Sequence, residues 1–347
     1  YGYTDGKNEG QFMTTAIQCT IIEAQTTAMQ MFLKGQLDSI ALTNTDMETY
    51  RASKYTLYTP SSNTWKLSFN MDEAKLAANQ AKENDGNKTI MANANFRKAI
   101  GLAINKEEFV AQNFPASKPA FGLINYMYVY DPDTGALYRD SDIAKKQLVE
   151  YYGLEYGEGK PYATLDAAYD AMTGYSKTEA SKLIKKAYDE MVAAGKMTAA
   201  DTVSLDFNMY SGDALYVSVF NYINNAIQEA AKGTPLEGKI KLNRKVYADF
   251  YKTMQAGNTE IIMSAWGGAN FDPFGITTCY LDPKKSNEYG FPFDTEVEYT
   301  VKEGSTYTLS LQDWSIALNG TLTLDGGTTL TFTGESSEVK LGILAML

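Results

Sequence analysis

Between residues 203 and 266 the chain alternates with a regularity that few folds accommodate. "VSLDFNMY" reads as a strand, "ALYVSVFNYINNAIQEAA" as a helix, "GKIKLNRKV" as a strand, "YADFYKTMQAG" as a helix and "TEIIMSAW" as a buried strand. Successive units of this kind cover both faces of a largely parallel sheet with helices, so the spacing predicts an α/β fold. In open sheets ligands gather beyond the carboxyl ends of the strands. The stretch "SAWGGANFDPFG", Ser264 to Gly275, stands at such an end. Gly267 and Gly268 admit close approach by a backbone or a ligand. Trp266, Asn270 and Asp272 set a ring, an amide and a carboxylate beside them. These five residues form the candidate ligand-binding set, with core packing as the competing reading for Trp266 and an ordinary Asp-Pro turn for Asp272.

The flanking segments extend the pattern. Ala24, Ala28, Met31 and Phe32 keep helical spacing up to Gly35, and Leu37 to Leu42 reads as a short strand. "YTLYTPSSNTWKLSFNMD" has two apolar-alternating runs parted by Pro60 to Asn63, which predicts strand, turn, strand. "NANFRKAIGLAINKEEFV" reads as two short helices meeting at Asn105, and "DIAKKQLVEYYG" as a helix capped at Asp142 and closed by Gly153. "SKTEASKLIKKAYDEMVAAG" is a third, closed by Gly195. From Glu296 onward the character changes to two hairpins around a short helix carrying Trp314. The abrupt start at "YGYTDGKNEG", and "KLGILAML" as the opening of a helix after Ser337, suggest a piece of a longer chain.

Composition removes several classes of function. With 31 Lys+Arg against 42 Asp+Glu and a net charge of -11, the chain repels a phosphate backbone, so no nucleic-acid partner is expected. Histidine is absent, which rules out Ser-His-Asp and Cys-His catalysis and imidazole-built zinc sites. Carboxylate, lysine or tyrosine chemistry is left. No phosphate-cradling loop, dinucleotide fingerprint, paired-cysteine metal spacing or nucleophile elbow appears, so no enzyme activity and no cofactor are expected. "DPDTGALYRDSD" puts Asp131, Asp133 and Asp142 near the count of a calcium loop, but glycine falls one place early, and no metal is expected. The two cysteines, Cys19 and Cys279, are read as buried thiols. The 25 tyrosines, clustered at Tyr126, Tyr128 and Tyr130 and at Tyr151, Tyr152 and Tyr156, suit contact with peptides or sugars as well as ordinary packing.

Three stretches together resemble the family 5 extracellular solute-binding proteins, the oligopeptide and dipeptide receptors of bacterial ABC importers. They are "AMQMFLKGQLDSIAL", "NFRKAIGLAINKEEFV" and "IIMSAWGGANFDP", in the family's order, within a resemblance that covers roughly Ile21 to Tyr280. It implies a periplasmic-binding-protein-like (class II) lobe with a mixed sheet and flanking helices, followed by a hairpin-rich C-terminal segment that departs from the common pattern. Residues 1–70 would end the first lobe and residues 71–347 form most of the second. The implied function is capture of peptides between two lobes for import, by a monomer working with ABC permease subunits. Its implied location is extracellular, lipid-anchored at the cell surface, or periplasmic. An oligosaccharide receptor of the same family is the alternative, with a carboxylate glycosidase further off. Many peptide receptors of this family carry an aspartate three residues after the tryptophan, and some an arginine three residues before it. Ala269 and Met263 stand there instead, which leaves Asn270 or Asp272 as substitute anchors.

Overall fold

The alternation between residues 203 and 266 folds as its spacing predicts. In the computed structural model, which describes residues 13–267, 273, 274, 276, 296–334 and 336–346, the chain divides into two compact units, residues 1–56 and 57–347.

The smaller unit contains α1 (Gln25–Leu33) and α2 (Asn44–Tyr50). Thr43 and Asp46 form a reciprocal capping box at the start of α2. Gln25 at the start of α1 donates to Asp46 Oδ2 at 2.7 Å and to the carbonyl of Ala41 at 2.9 Å. The strand expected over Leu37 to Leu42 does not form. Among the described residues no neighbouring strand offers it a ladder, and the segment instead runs into the α2 cap. Cys19 is exposed rather than buried, because residues 13–24 join no helix or strand; Cys279 lies outside the described residues.

The larger unit is built on β1 (Asn63–Phe69), α3 (Glu73–Glu83), α4 (Ala94–Ala103), α5 (Lys106–Asn113), β2 (Val129–Asp131), β3 (Ala136–Leu137), α6 (Asp142–Tyr151), α7 (Leu165–Asp170), α8 (Lys177–Ala193), β4 (Val203–Asn208), α9 (Ala214–Ala231), β5 (Ile240–Lys245), α10 (Phe250–Gln255) and β6 (Ile261–Gly267). The two short helices expected around Asn105 are α4 and α5, with the Asn105 side chain capping the second. The cap of α6 is Ser141 and not Asp142, since the Ser141 hydroxyl accepts from the Ala144 N–H at 3.3 Å. Asp142 falls in the first turn, where its charge suits the helix dipole. Gly153 and Gly195 follow their helices at φ of 75° and 68°, conformations that cost a side chain dearly.

The sheet runs β1-β6-β4-β5, with β4 parallel to both neighbours and β1 antiparallel to β6. Here the expected local hairpin gives way. The first run, around Tyr55 and Leu57, is exposed and forms no strand, and β1 pairs instead with β6 far along the chain. The burial that β6 offers outweighs the proximity of the first run. Val203, Leu205 and Phe207 of β4, with Ile240, Leu242, Ile261 and Met263, line one face and pack on α4, α8 and α9. Ile262 on the other face packs on Phe250 and Met254 of α10.

The C-terminal segment has its own core. Glu296–Thr300 pairs with Thr306–Ser310 and Leu322–Thr323 with Thr329–Leu330, two hairpins around helix Leu311–Asn319, as its turn residues predict. Trp314 is fully buried and donates its indole N–H to the Val297 carbonyl at 2.9 Å. The last helix, Ser336–Met346, is tied to α6 by Gln147, which donates to the Leu344 carbonyl at 2.6 Å.

On the α10 side of the sheet, charge replaces apolar packing. Lys88 is fully buried, with Nζ 2.8 Å from Glu83, 3.3 Å from Glu260 and 3.6 Å from Asp85, and it donates to the Ser204 carbonyl at 3.1 Å. Glu260 also accepts from the Asp206 N–H at 2.7 Å and from Asn79 at 3.0 Å. Burial opposes the charge on Lys88, but the hydrogen bond with Glu83 and the charges of Glu260 and Asp206 outweigh it and hold its pKa above the usual lysine value. Burial lifts the Glu260 carboxyl above its ordinary range, against the pull of the Asp206 N–H and Lys88. Removing the cation leaves buried carboxylates uncompensated, so Lys88→Met is expected to lower unfolding free energy by ~3–5 kcal/mol. Lys245, whose ammonium is half-exposed at 3.6 Å from Asp206, should lose no more than ~1 kcal/mol on the same substitution. Urea denaturation of both variants checks this, and equal losses would contradict it.

Candidate functional site

Connectivity marks where a ligand site is expected before any side chain does. From β4 the chain crosses through α9 to β5 on one side, then returns through α10 to β6 on the other side of β4. Strand order thus reverses between β4 and β6, and in open α/β sheets the gap at such a reversal, outside the carboxyl ends, is where ligands bind. β4 ends at Asn208, whose partner on β6 is Ile262, so β6 runs on past β4 to Gly267 with β1 as its one strand partner among the described residues.

Period-two alternation then sorts what this projecting ribbon presents. Leu67, Met263 and Ile261 turn to the main core. Thr64, Lys66 and Ser68 of β1 stand opposite Trp266, Ser264 and Ile262 of β6 on the α10 side. There the Lys66 ammonium donates to Ser264 Oγ at 3.1 Å, and the Ser68 and Ser264 hydroxyl oxygens lie 3.4 Å apart. Asn208 is wholly buried at the reversal; its amide donates to the Phe250 carbonyl at 3.4 Å, while Oδ1 has no hydrogen-bond partner among the described residues.

Aromatic side chains border the same end of the sheet. Tyr210, just past β4, is 61% exposed and lies 5.6 Å from Phe250 and 6.1 Å from Tyr216, centroid to centroid. Burial, together with Asp213, pushes the Tyr216 hydroxyl above the usual tyrosine value. Tyr247 is pushed up to about 12, by burial first and by Asp206 second, so it stays a neutral donor across the physiological range. On the opposite face Trp65 is 48% exposed and stacks on Phe114 at 6.3 Å.

Of the five sequence-predicted residues, Trp266 and Gly267 are described and Gly268, Asn270 and Asp272 lie outside the described residues. Trp266 and Gly267 are the last two residues of β6 and not part of a loop beyond it, because β1 continues the ladder that far. Trp266 is partly buried and faces the stripe of Lys66 and Ser264. Gly267 has a local reason to be glycine. A Cβ there would run into the Asn63 side chain and lie 2.9 Å from the Ser62 hydroxyl. That approach is held by Asn125, which donates to the Ser62 carbonyl at 2.8 Å and to Thr64 Oγ1 at 3.2 Å. Met263, at the position where an arginine was sought, is buried in the main core. Lys66, Ser264, Asn208 and Tyr210 were not singled out in the sequence. The signal for two of them was present, since Ser264 breaks the apolar run "IIMSAW" and Lys66 takes a polar beat in "WKLSF".

The sequence profile of the bacterial extracellular solute-binding proteins, family 5 middle, matches residues 8–288. The chain belongs to that family. The C-terminal hairpins and last helix, from Glu296 onward, lie past the match. Among solved structures, OppA of Listeria monocytogenes bound to peptide is similar at a TM-score of 0.54 and 17% identity, over 93% of this chain and 48% of that one. The pheromone receptor PrgZ, described with its mode of peptide binding, is similar at a TM-score of 0.51 and 16% identity, over 94% of this chain and 49% of that one. The chain thus spans about half the length of these neighbours, and shares their fold. A comparison with curated protein sequences returns no match.

Gly267 supplies a direct test of the local geometry. Gly267→Val should cost ~1–3 kcal/mol through overpacking against Asn63. Combining it with Asn63→Ala should recover part of the loss in urea denaturation, and a double variant no more stable than Gly267→Val would contradict the contact.

Proposed function

We propose that this chain is part of an extracellular receptor that captures peptides between two lobes and delivers them to an ABC importer. Family membership supports this, and the observation that carries it is the reversal of strand order between β4 and β6, with the exposed Tyr210 just past the end of β4 and no catalytic constellation in the sequence. An extended peptide offers backbone N–H and C=O groups that strand edges can satisfy, while its side chains meet tyrosine and tryptophan rings. Backbone recognition restricts sequence little, which suits uptake of mixed peptides. Closure follows from a ligand that touches both lobes and so favours the closed state by its differential affinity. No bond is made or broken. The family is one of binding proteins, and absence of histidine and of a nucleophile motif supports binding without turnover.

Residues 1–70 read as the end of the first lobe and residues 71–347 as most of the second. The smaller unit, residues 1–56, supports the first part of that division; among its described residues only Ala28, Met29 and Met47 are buried apolar side chains, while Ile17 and Ile21 are exposed. The receptor acts as a monomer, with permease subunits as its partners, and its place is outside the membrane, either lipid-anchored or periplasmic. No helix among the described residues is long and apolar enough to cross a membrane.

Ala269 stands where many of the family's peptide receptors carry an aspartate for the peptide's α-amino group, and the ligand is accordingly held along its middle or by Asn270 or Asp272. A grip along the middle makes a free amino terminus unimportant to affinity, whereas an anchor at Asp272 makes it count. Calorimetry of the full-length receptor with matched free and N-acetylated peptides should give either affinities within about 1 kcal/mol or a loss on acetylation that Asp272→Asn removes. A loss above about 2 kcal/mol on acetylation that persists in Asp272→Asn would overturn this.

A further inference from the structure

Helix α9 has an outer face unlike that of its neighbour. Its inner side, Val219, Ile223 and Ile227, is buried in the main core. Of its 18 residues only Glu229 ionises with a full charge, whereas α8 carries four lysines and three acids over 17 residues. A solvated helix face ordinarily holds charges, as α8 does, so the neutral outer face of α9 is set up for something other than water. Ser218, Asn221 and Asn225 recur along it at helical spacing.

This face forms one wall of a groove of about 700 Å³, with α5 opposite and Tyr175 and Lys177 at one end. A volume of this size falls within the range of small-molecule sites. The charges on its rim are engaged with one another. Lys177 pairs with Glu229 at 2.9 Å, and the Tyr222 hydroxyl lies 3.2 Å from Glu108. The neutral groups are not committed in the same way. The side chains of Asn221 and Asn225 make no hydrogen bond among the described residues, and Gln112 uses only its amide N–H, on Ser218 at 3.3 Å. Small side chains, Ala103, Val217 and Ala226, keep the lining shallow and apolar between these amides. The Tyr175 ring is 40% exposed, and Tyr222 is braced edge-on against Phe109 at 5.4 Å.

We propose that this groove is a second binding site, separate from the strand reversal, for a neutral oligosaccharide. A sugar presents hydroxyl edges, each both donor and acceptor, around faces of C–H groups. Primary amides match the edges, since each also donates and accepts, and tyrosine rings with small apolar side chains match the faces. Anionic ligands meet Glu108 and Glu229, and cationic ones find those carboxylates already taken by Tyr222 and Lys177. A protein partner lacks the buried aromatic or aliphatic anchor that such interfaces centre on. The site is independent of peptide capture and stands or falls apart from it.

Side-chain amide resonances of the full-length protein test the assignment, with maltotriose and triacetylchitotriose as probes. At least one sugar should shift the amides of Asn221, Asn225 and Gln112 in a saturable way. The double variant Asn221→Ala/Asn225→Ala should weaken that binding at least tenfold and leave calorimetric peptide affinity unchanged; both positions are exposed, so the fold is not at risk. Absence of a saturable shift with either sugar up to millimolar concentration would overturn the proposal. So would unchanged sugar affinity in the double variant, or a saturable shift of the same amides by a neutral capped peptide with none by the sugars.

Discussion

The placement of β6 rests on one buried cation. Lys88 joins Glu83 at the end of α3 and Asp85 just after it to Ser204 of β4 and to Glu260, the residue before β6 begins. Glu260 in turn takes the N–H of Asp206 in the next strand. Charges removed from water are tolerable only in a fixed geometry with their remaining hydrogen-bonding capacity satisfied, so the cluster admits few alternative arrangements. Holding the origin of β6 holds its other end, seven residues on, where Trp266 and Gly267 project past β4 beside β1. An apolar substitute at the same place would bury surface as well but would tolerate sliding of the strand, and a one-residue slip would turn Trp266 and Ser264 to the opposite face.

In the proposed reading, the end of β6 is part of the binding surface. The end of β6 beyond β4 pairs with β1 and carries one apolar face and one polar face, the latter with an ammonium, hydroxyls and a ring in register, Thr64 and Ser264 among them being buried. These groups are held by strand ladders and not by loops, and preorganised donors cost less ordering on binding. Asn208 adds a buried amide oxygen with no hydrogen-bond partner among the described residues at the strand reversal, a feature that lowers stability. The Tyr247 hydroxyl, pushed up to about 12, stays protonated across the physiological range.

Much of this was legible in the residues. The β–α–β alternation, the hairpin turns at Lys302 to Ser305 and Asp325 to Gly327, and the Asn105 break between α4 and α5 all rest on local chemistry, and local chemistry is what a sequence displays. What escaped was long-range. Pairing of β1 with a strand 198 residues away at Lys66 and Ser264, in place of a local hairpin, has no local signature. Neither does the buried cluster around Lys88, whose members come from the end of α3, the turn after it, β4, β5 and the residue before β6. Gly267 was read for the openness that glycine allows, and the openness serves the close approach of Ser62 and Asn63. The strand expected over Leu37 to Leu42 failed for the converse reason, because propensity without a partner strand leaves backbone groups unpaired.

The account stands on one claim, that the intact receptor holds peptides and leaves them whole. Native mass spectrometry of freshly purified full-length protein, before and after incubation with mixed peptides, measures it. The account predicts bound masses equal to intact peptides, exchanging with those added, and no cleavage products above a heat-denatured control. Protein that stays free of peptide at every concentration, or that releases shortened peptides, would contradict it.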